Sequence, residues 1–174
     1  IQGDEYGSMQ VFRNQSGSYV RQYFSSLSSY LCLNGTANKY NTSGFTPVSN
    51  SKTNDWLIDT TYSAGSSGVQ VNRKIQYTNG NAYYKATYRI TNNGASTYTD
   101  NRFLYGGDTY FAGDDSAQGH WNPSLKMVYL TNPNPALSGI MGLYGDTMTS
   151  PADAYYEAGY SDVYTALGNC SLPN

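Results

Sequence analysis

The sequence has few charged residues, one histidine and two cysteines among its 174 residues. Ten Lys and Arg residues stand against twelve Asp and Glu, which gives a net charge of -2. The basic residues are spread along the chain, so we expect no nucleic-acid partner. No apolar run reaches the roughly 18–20 residues that a membrane-spanning helix needs, so we also expect no membrane span.

A single histidine leaves few ways to build acid–base catalysis. The chain has no Gly-x-Ser-x-Gly motif, no His-Glu-x-x-His motif and no phosphate-binding Walker loop. Asp114 or Asp115 together with Asp146 or Glu157 would suit glycoside hydrolysis if the fold set the two carboxylates at the right separation. A small glycan-active enzyme is therefore the third-ranked hypothesis, and binding functions come first.

Tyrosine is abundant, with 19 residues. Its ring is apolar and its hydroxyl forms hydrogen bonds, so it suits half-buried strands and surfaces that grip polar ligands. Together with a content rich in Ser, Thr, Asn and Gly, this composition favours an extracellular or cell-surface protein that binds or assembles.

The two cysteines, Cys32 and Cys170, lie far apart in the sequence. If they pair, the disulfide closes a loop of about 138 residues, which chain entropy values at roughly 5 kcal/mol. The alternative is two buried free thiols. We expect the disulfide, because the composition favours an oxidising compartment.

Residues 69–77 alternate between apolar and polar side chains, the period of a half-buried strand. Asn79-Gly80 is a favoured hairpin turn, and a second strand is predicted over 82–91. A turn at 92–94 and a third strand within 97–105 complete a predicted antiparallel meander.

Further strands are predicted at 8–12 and 18–24, joined by a hairpin, and at 56–58, 126–131 and 139–144. Residues 34–54 indicate a long surface excursion. Ser150 and Pro151 are typical of a helix start, and apolar spacing continues to Leu167, with Gly168 closing the helix. We therefore predict an all-β fold: one domain, residues 1–174, forming an antiparallel β-sandwich with Greek-key or meander connections and one short C-terminal helix.

Residues 105–121, here called the Gly/Asp segment, concentrate three carboxylates, four glycines, four aromatics and the only histidine. Clustered carboxylates and accessible backbone carbonyls are the ligands that calcium prefers. Asp108, Asp114 and Asp115 are thus candidate calcium ligands. The alternative is that these aspartates order turns through bonds to the backbone.

The same segment has the composition of a sugar site. Tyr110 and Trp121 would stack on a pyranose ring, while His120 and Gln118 would line the site and bond to hydroxyls. The alternative is that these aromatic residues belong to the core. Arg73 is a separate anomaly, because it falls on the apolar phase of its strand; an ion pair with Asp108 would account for it, as would a bulge.

The stretches 71–75, 83–93 and 103–108, the last reading Phe-Leu-Tyr-Gly-Gly-Asp, resemble the large β-sandwich domains of galactose-mutarotase type. The resemblance implies a sandwich scaffold associated with sugar-active or bacterial surface proteins. Mutarotases use a pair of histidines with a carboxylate, whereas this chain has His120 alone, so the resemblance implies no epimerase activity.

Two main functions follow. The first is a secreted or cell-surface module for carbohydrate binding or adhesion, with calcium as a possible cofactor. The second is a subunit of an extracellular filament or surface layer, assembled by strand pairing, with residues 8–24 as the donor segment.

Overall fold

The computed structural model describes residues 2–3, 9–23, 27–35, 38–40, 44–54, 56–145 and 152–173. Strands dominate these residues, and they form antiparallel sheets with one short α-helix. The predicted all-β class is confirmed. The strands are β1 (Gln2–Gly3), β2 (Met9–Gln10), β3 (Phe12–Gln15), β4 (Ser18–Arg21), β5 (Ser28–Leu33), β6 (Asn38–Tyr40), β7 (Phe45–Asn54), β8 (Leu57–Ala64), β9 (Val69–Tyr77), β10 (Tyr84–Asn92), β11 (Asn101–Gly106), β12 (Gln118–Asn122), β13 (Met127–Thr131) and β14 (Met141–Tyr144), followed by helix α1 (Tyr160–Gly168).

The chain divides into two compact units. Unit 1 comprises residues 1–2, 9–27 and 106–174, and unit 2 comprises residues 3–8 and 28–105. The single domain over 1–174 stays a prediction, because compact units of this kind can belong to one folding domain.

Unit 2 contains a four-stranded antiparallel sheet in the order β10-β9-β8-β7. Alternation along β9 buries Val69, Val71, Arg73 and Ile75 on one face, the inner face. The outer face is polar because the intervening positions are. On β9 and β10 the outer positions are Gln70, Asn72, Lys74 and Gln76, opposite Thr91, Arg89, Thr87 and Lys85.

A three-stranded sheet in the order β11-β5-β6 completes unit 2. Leu31 and Leu33 of β5 share one buried cluster with Phe45, Tyr62 and Val71 of the four-stranded sheet. Within it the Phe45 and Tyr62 rings stack at 5.1 Å between centroids. The two sheets of unit 2 therefore enclose a common apolar core, which is the sandwich arrangement that the alternating strands predict.

Two details of the predicted strands are wrong, one in their order and one in their extent. The strand in the 97–105 region is β11, which pairs with β5 and does not extend the β9–β10 hairpin as a meander. Residues 34–54 are not only a surface excursion, because they contain β6 and the ten-residue β7. Eight of the ten β7 residues are exposed and most of them are polar, so the composition of β7 resembles that of a loop.

Unit 1 is built around a three-stranded antiparallel sheet in the order β12-β13-β14. Leu130 of β13 packs with Phe111 and Ala112, which belong to a short 3-10 turn at Phe111–Gly113. A separate hairpin, β3–β4, turns at Ser16 and Gly17, both of which have positive φ. This hairpin was predicted from the sequence.

Helix α1 begins nine residues later than the predicted first helical residue, Pro151. Ser150 and Pro151 lie outside the described residues, while residues 152–159 are described and are not helical. Tyr155 and Glu157 instead contact strand β12, and the helix begins at Tyr160. Its end at Gly168 agrees with the prediction.

The two cysteines, Cys32 and Cys170, are both disulfide-bonded, as expected, and both are fully buried. In the part of the chain that the structure describes, no helix has the length and apolar character needed to cross a membrane.

Candidate functional site

The end of the Gly/Asp segment is a strand, and this determines where its side chains point. Residues directly opposite each other in an antiparallel ladder share a face. His120 pairs with Tyr129, Gln118 pairs with Thr131, and Gly142 of β14 pairs with Tyr129 on the other side. One face of this sheet, here called the His120 face, therefore carries Gln118, His120, Asn122, Met127, Tyr129, Thr131, Gly142 and Tyr144.

The His120 face combines an aromatic stack with hydrogen-bonding groups. The rings of His120 and Tyr129 stack with centroids 5.1 Å apart and planes inclined by 26°. A hydrogen bond of 2.8 Å joins His120 Nε2 to Thr131 Oγ1. The exposed Gln118 lies opposite Thr131, so its amide is available beside this pair. The imidazole is thus held by two contacts and presents an oriented polar edge at an exposed surface.

Trp121 faces the other side of the sheet. Its ring stacks on Tyr155 with centroids 4.3 Å apart and planes inclined by only 9°. The neighbouring Gly119 N–H donates to Glu157 Oε1 at 3.2 Å. Trp121 therefore anchors the segment 152–159 and does not join His120 and Gln118.

Tyr110 is also separate from the His120 face. It precedes the 3-10 turn at Phe111–Gly113, its backbone N–H donates to the Gln22 carbonyl at 2.8 Å, and the Arg21 guanidinium lies 5.7 Å from its ring centroid. Of the four predicted sugar-site residues, the structure therefore brings together two, Gln118 and His120.

The three aspartates differ in environment. Burial, and secondarily the charge of Asp115, raise the pKa of the Asp108 carboxyl. Hydrogen bonds from the side chain and the backbone N–H of Ser116 lower the pKa of Asp114. The Ser116 backbone N–H donates to Asp114 Oδ1 at 2.8 Å, which is the turn-ordering role considered as the alternative.

Among the described residues, no three His, Cys, Asp or Glu side chains come together as a group able to hold a metal ion. Asp108, Asp114 and Asp115 therefore do not form a three-carboxylate site. Calcium binding stays a prediction, and it would require backbone carbonyls of the glycine-rich stretch as additional ligands.

The carboxylate pairs considered for glycoside hydrolysis have other contacts. Glu157 accepts the Gly119 N–H, Asp114 accepts the Ser116 N–H, and Asp146 lies outside the described residues. Enzyme activity consequently gains no geometric support from these residues.

The sequence did not identify the other six members of the His120 face, among them Tyr129, Thr131 and Tyr144. Tyr144 is 56% exposed, which is high for a large aromatic side chain. The signal was present, because the strand at 126–131 was predicted and alternation places Tyr129 and Thr131 on one side of it. The sequence did not show the pairing of β12 with β13, which places these residues beside His120.

The proposed donor segment, residues 8–24, is largely folded onto itself. Its strands β3 and β4 pair in register from Phe12 opposite Arg21 to Gln15 opposite Ser18, while Ser8 and Phe24 lie outside the described residues. Assembly through this segment stays a prediction and would require the hairpin to open.

Unit 2 contains a cleft of about 310 Å³. Leu31, Leu33 and Val69 line it, together with Ile90 and Phe103. Its size is at the lower limit for small-molecule sites. The Arg102 guanidinium at this cleft is engaged by Asp100, with contacts of 2.9 and 3.0 Å, so it is not a free anion-binding group.

Comparison of the chain with protein-family models, with curated proteins and with solved structures finds no match. The resemblance to galactose-mutarotase-type domains stays a prediction.

Proposed function

We propose that this protein is a carbohydrate-binding module of an extracellular or cell-surface protein, and that the His120 face is its binding surface. The observation that carries the proposal is the His120–Tyr129 stack flanked by Gln118 and Thr131 on an exposed sheet face. The disulfide-bonded cysteines support an oxidising location.

The physical argument is that a sugar ring has an apolar C–H side and a polar rim. Flat aromatic rings suit the former, and fixed amide, hydroxyl and imidazole groups suit the latter. Tyr144 provides an exposed ring on the same face, two positions along β14 from Gly142, the residue opposite Tyr129. A shallow open surface of this kind favours internal units of a polysaccharide over a small buried sugar.

Glycan-array screening of the purified protein, followed by titration calorimetry on the best neutral glycan, tests this proposal. Replacing Tyr129 with Ala is expected to weaken binding by up to about 10-fold, since one stacked aromatic ring is worth roughly 0.5–1.5 kcal/mol. Gln118→Ala is expected to weaken it less, by the loss of one hydrogen bond.

Tyr19→Ala is the matched control, because Tyr19 is 75% exposed in the β3–β4 hairpin, away from the β12–β14 sheet. It should leave affinity unchanged. Binding that survives Tyr129→Ala and is lost in Tyr19→Ala would contradict the assignment of the His120 face.

A second candidate function is assembly by strand pairing. It is favoured by β10, a nine-residue strand that pairs only with β9 among the described strands. Ile90 on this edge is 43% exposed. Size-exclusion chromatography across protein concentrations tests it: concentration-dependent polymers that disappear when Ile90 is replaced with Lys would favour assembly, and a monomer throughout would exclude it.

A further inference from the structure

The β9–β10 hairpin has an unusual charge composition. Residues 69–92 contain Arg73, Lys74, Lys85 and Arg89 but no Asp or Glu, in a chain whose net charge is -2. Arg73 is buried on the inner face. The strand register determines where the other three cations lie.

The register puts these three cations on the outer face of the four-stranded sheet. Lys74 lies opposite Thr87, with Lys85 and Arg89 two residues to either side of Thr87. Lys74 is therefore a diagonal neighbour of both, at a distance of about 7–8 Å between such positions in an antiparallel ladder. We call the outer surface of β9 and β10 the basic face.

The three cations exceed the carboxylates beside them in the part of the chain that the structure describes. Lys74, Lys85 and Arg89 form no ion pair there. Asp59 lies opposite Lys74 on β8 and accepts a 2.6 Å hydrogen bond from Asn72 Nδ2, so one carboxylate stands beside three cations. The face therefore keeps an excess of positive charge, which attracts anions.

The remaining positions of the basic face define the kind of anion. They are Gln, Asn and Thr, whose amides and hydroxyls form a flat array of donors and acceptors. No aromatic side chain lies at these outer positions of β9 and β10. The exposed Tyr83, at 69%, lies just before β10 and is a single ring. Single-stranded nucleic acids require aromatic rings for base stacking, whereas hydroxyl-rich acidic sugars match amides, hydroxyls and well-spaced cations.

We propose that the basic face binds an acidic polysaccharide, a polymer of carboxylated sugars. This site is in unit 2 and is independent of the His120 face in unit 1. Its binding is electrostatic, so it weakens as salt concentration rises, in contrast to a neutral glycan held by stacking.

Fluorescence anisotropy with labelled polygalacturonate at low salt tests the proposal, with the fully methyl-esterified polymer as the uncharged probe. We expect binding to the acidic polymer only. The variant with Lys74, Lys85 and Arg89 all replaced by Gln should bind at least about 10-fold more weakly, because three charge contacts are removed together.

The control matched in net charge replaces Arg13, Arg102 and Lys126 with Gln at exposed positions elsewhere; Arg102 is paired with Asp100, so Arg13 and Lys126 are its unpaired cations among the described residues. It should retain affinity within about 2-fold. Circular dichroism checks that both variants fold; if the first does not, Lys85→Gln and Arg89→Gln singly should each weaken binding by about 2–3-fold.

Three results would overturn the proposal: no binding of polygalacturonate, equal weakening in both triple variants, or equal binding of the methyl-esterified polymer. A single-stranded DNA oligonucleotide is the remaining probe. If it bound more tightly than polygalacturonate and lost affinity in the same variant, the basic face would be a nucleic-acid surface instead.

Discussion

Gly119 is a position at which the backbone of β12 packs directly against a side chain. A Cβ atom at this position would overlap the Glu157 side chain, and the Gly119 N–H donates to that same carboxylate. Glycine is thus needed here for close approach and not for an unusual φ.

We expect Gly119→Ala to lower the free energy of unfolding by about 0.5–1.5 kcal/mol, because the exposed Glu157 side chain must move aside and lose its hydrogen bond to the Gly119 N–H. Urea unfolding measures it. Gly106→Ala is the control, because nothing lies within 4 Å of its added Cβ. Removing the obstructing side chain with Glu157→Ala should restore part of the loss in the double variant, and additive losses would show that the overlap is not the cause.

Asp108 is a carboxylate whose ionised form is unfavourable in the folded protein. Burial and the nearby Asp115 charge raise its pKa above the usual 3.8. A raised carboxyl pKa means that ionisation costs the folded state free energy above the folded pKa, and that this cost disappears below 3.8.

Asp108→Asn should therefore raise the thermal unfolding midpoint at neutral pH, and the gain should vanish near pH 3. Asp114→Ala should have the opposite effect at neutral pH, because hydrogen bonds lower the Asp114 pKa and stabilise its ionised form. A lower midpoint for Asp108→Asn would indicate that this carboxylate is paired, either with a cationic side chain or with calcium. Adding calcium and then a chelator separates these two outcomes, since only a bound metal gives a reversible shift.

At the scale of elements, the alternation of apolar and polar residues predicted the positions of the strands well, but it did not predict which strands pair. β9 was predicted with its observed bounds, because its apolar and polar residues alternate without interruption. β11 was assigned to the wrong sheet, since pairing between distant strands leaves no local pattern. The helix start was misplaced because Ser150 and Pro151 match a cap, while Tyr155 and Glu157 are held by β12 instead.

The candidate site was likewise predicted in part. His120 and Gln118 were predicted and share a face, but Trp121, the next residue in the chain, was grouped with them although strand geometry sends it to the other side. Trp121 and His120 lie on opposite faces because β12 is a strand. The Gly/Asp composition of residues 105–121 is typical of a loop, so the sequence did not indicate this strand.

Trp121 and Tyr155 join strand β12 to the segment before α1. A nearly parallel stack at 4.3 Å predicts a coupling energy of about 0.5–1.5 kcal/mol in a double-mutant cycle of alanine substitutions. Urea unfolding of the four proteins provides the cycle. Trp121 with Tyr160, which is 65% exposed, is the control pair and should show no coupling. Equal coupling in both pairs would mean that the stack contributes nothing specific.

At the scale of the whole molecule, charge distribution was the property that sequence reading could least foresee. Lys74, Lys85 and Arg89 lie on the two strands of one hairpin, and the register gathers them on one sheet face. The disulfide was more predictable, because it required only two cysteines and a composition suited to an oxidising compartment.

Reduction of the Cys32–Cys170 disulfide should lower the free energy of unfolding by roughly 5 kcal/mol, since it releases a loop of about 138 residues in the unfolded chain. Urea unfolding with and without reductant measures this effect. The variant with both cysteines replaced by Ser should match the reduced protein and be insensitive to reductant. An unchanged midpoint in the reduced wild-type protein would contradict the expectation.

Carbohydrate binding at the His120 face is the central claim, and a two-dimensional amide NMR titration with a neutral glycan identified by array tests it most directly. The account predicts saturable shifts concentrated at Gln118, His120, Tyr129 and Thr131, with Trp121 on the opposite face and the β9–β10 hairpin little affected. Saturable shifts confined to other residues, or no shifts with any arrayed glycan, would contradict it.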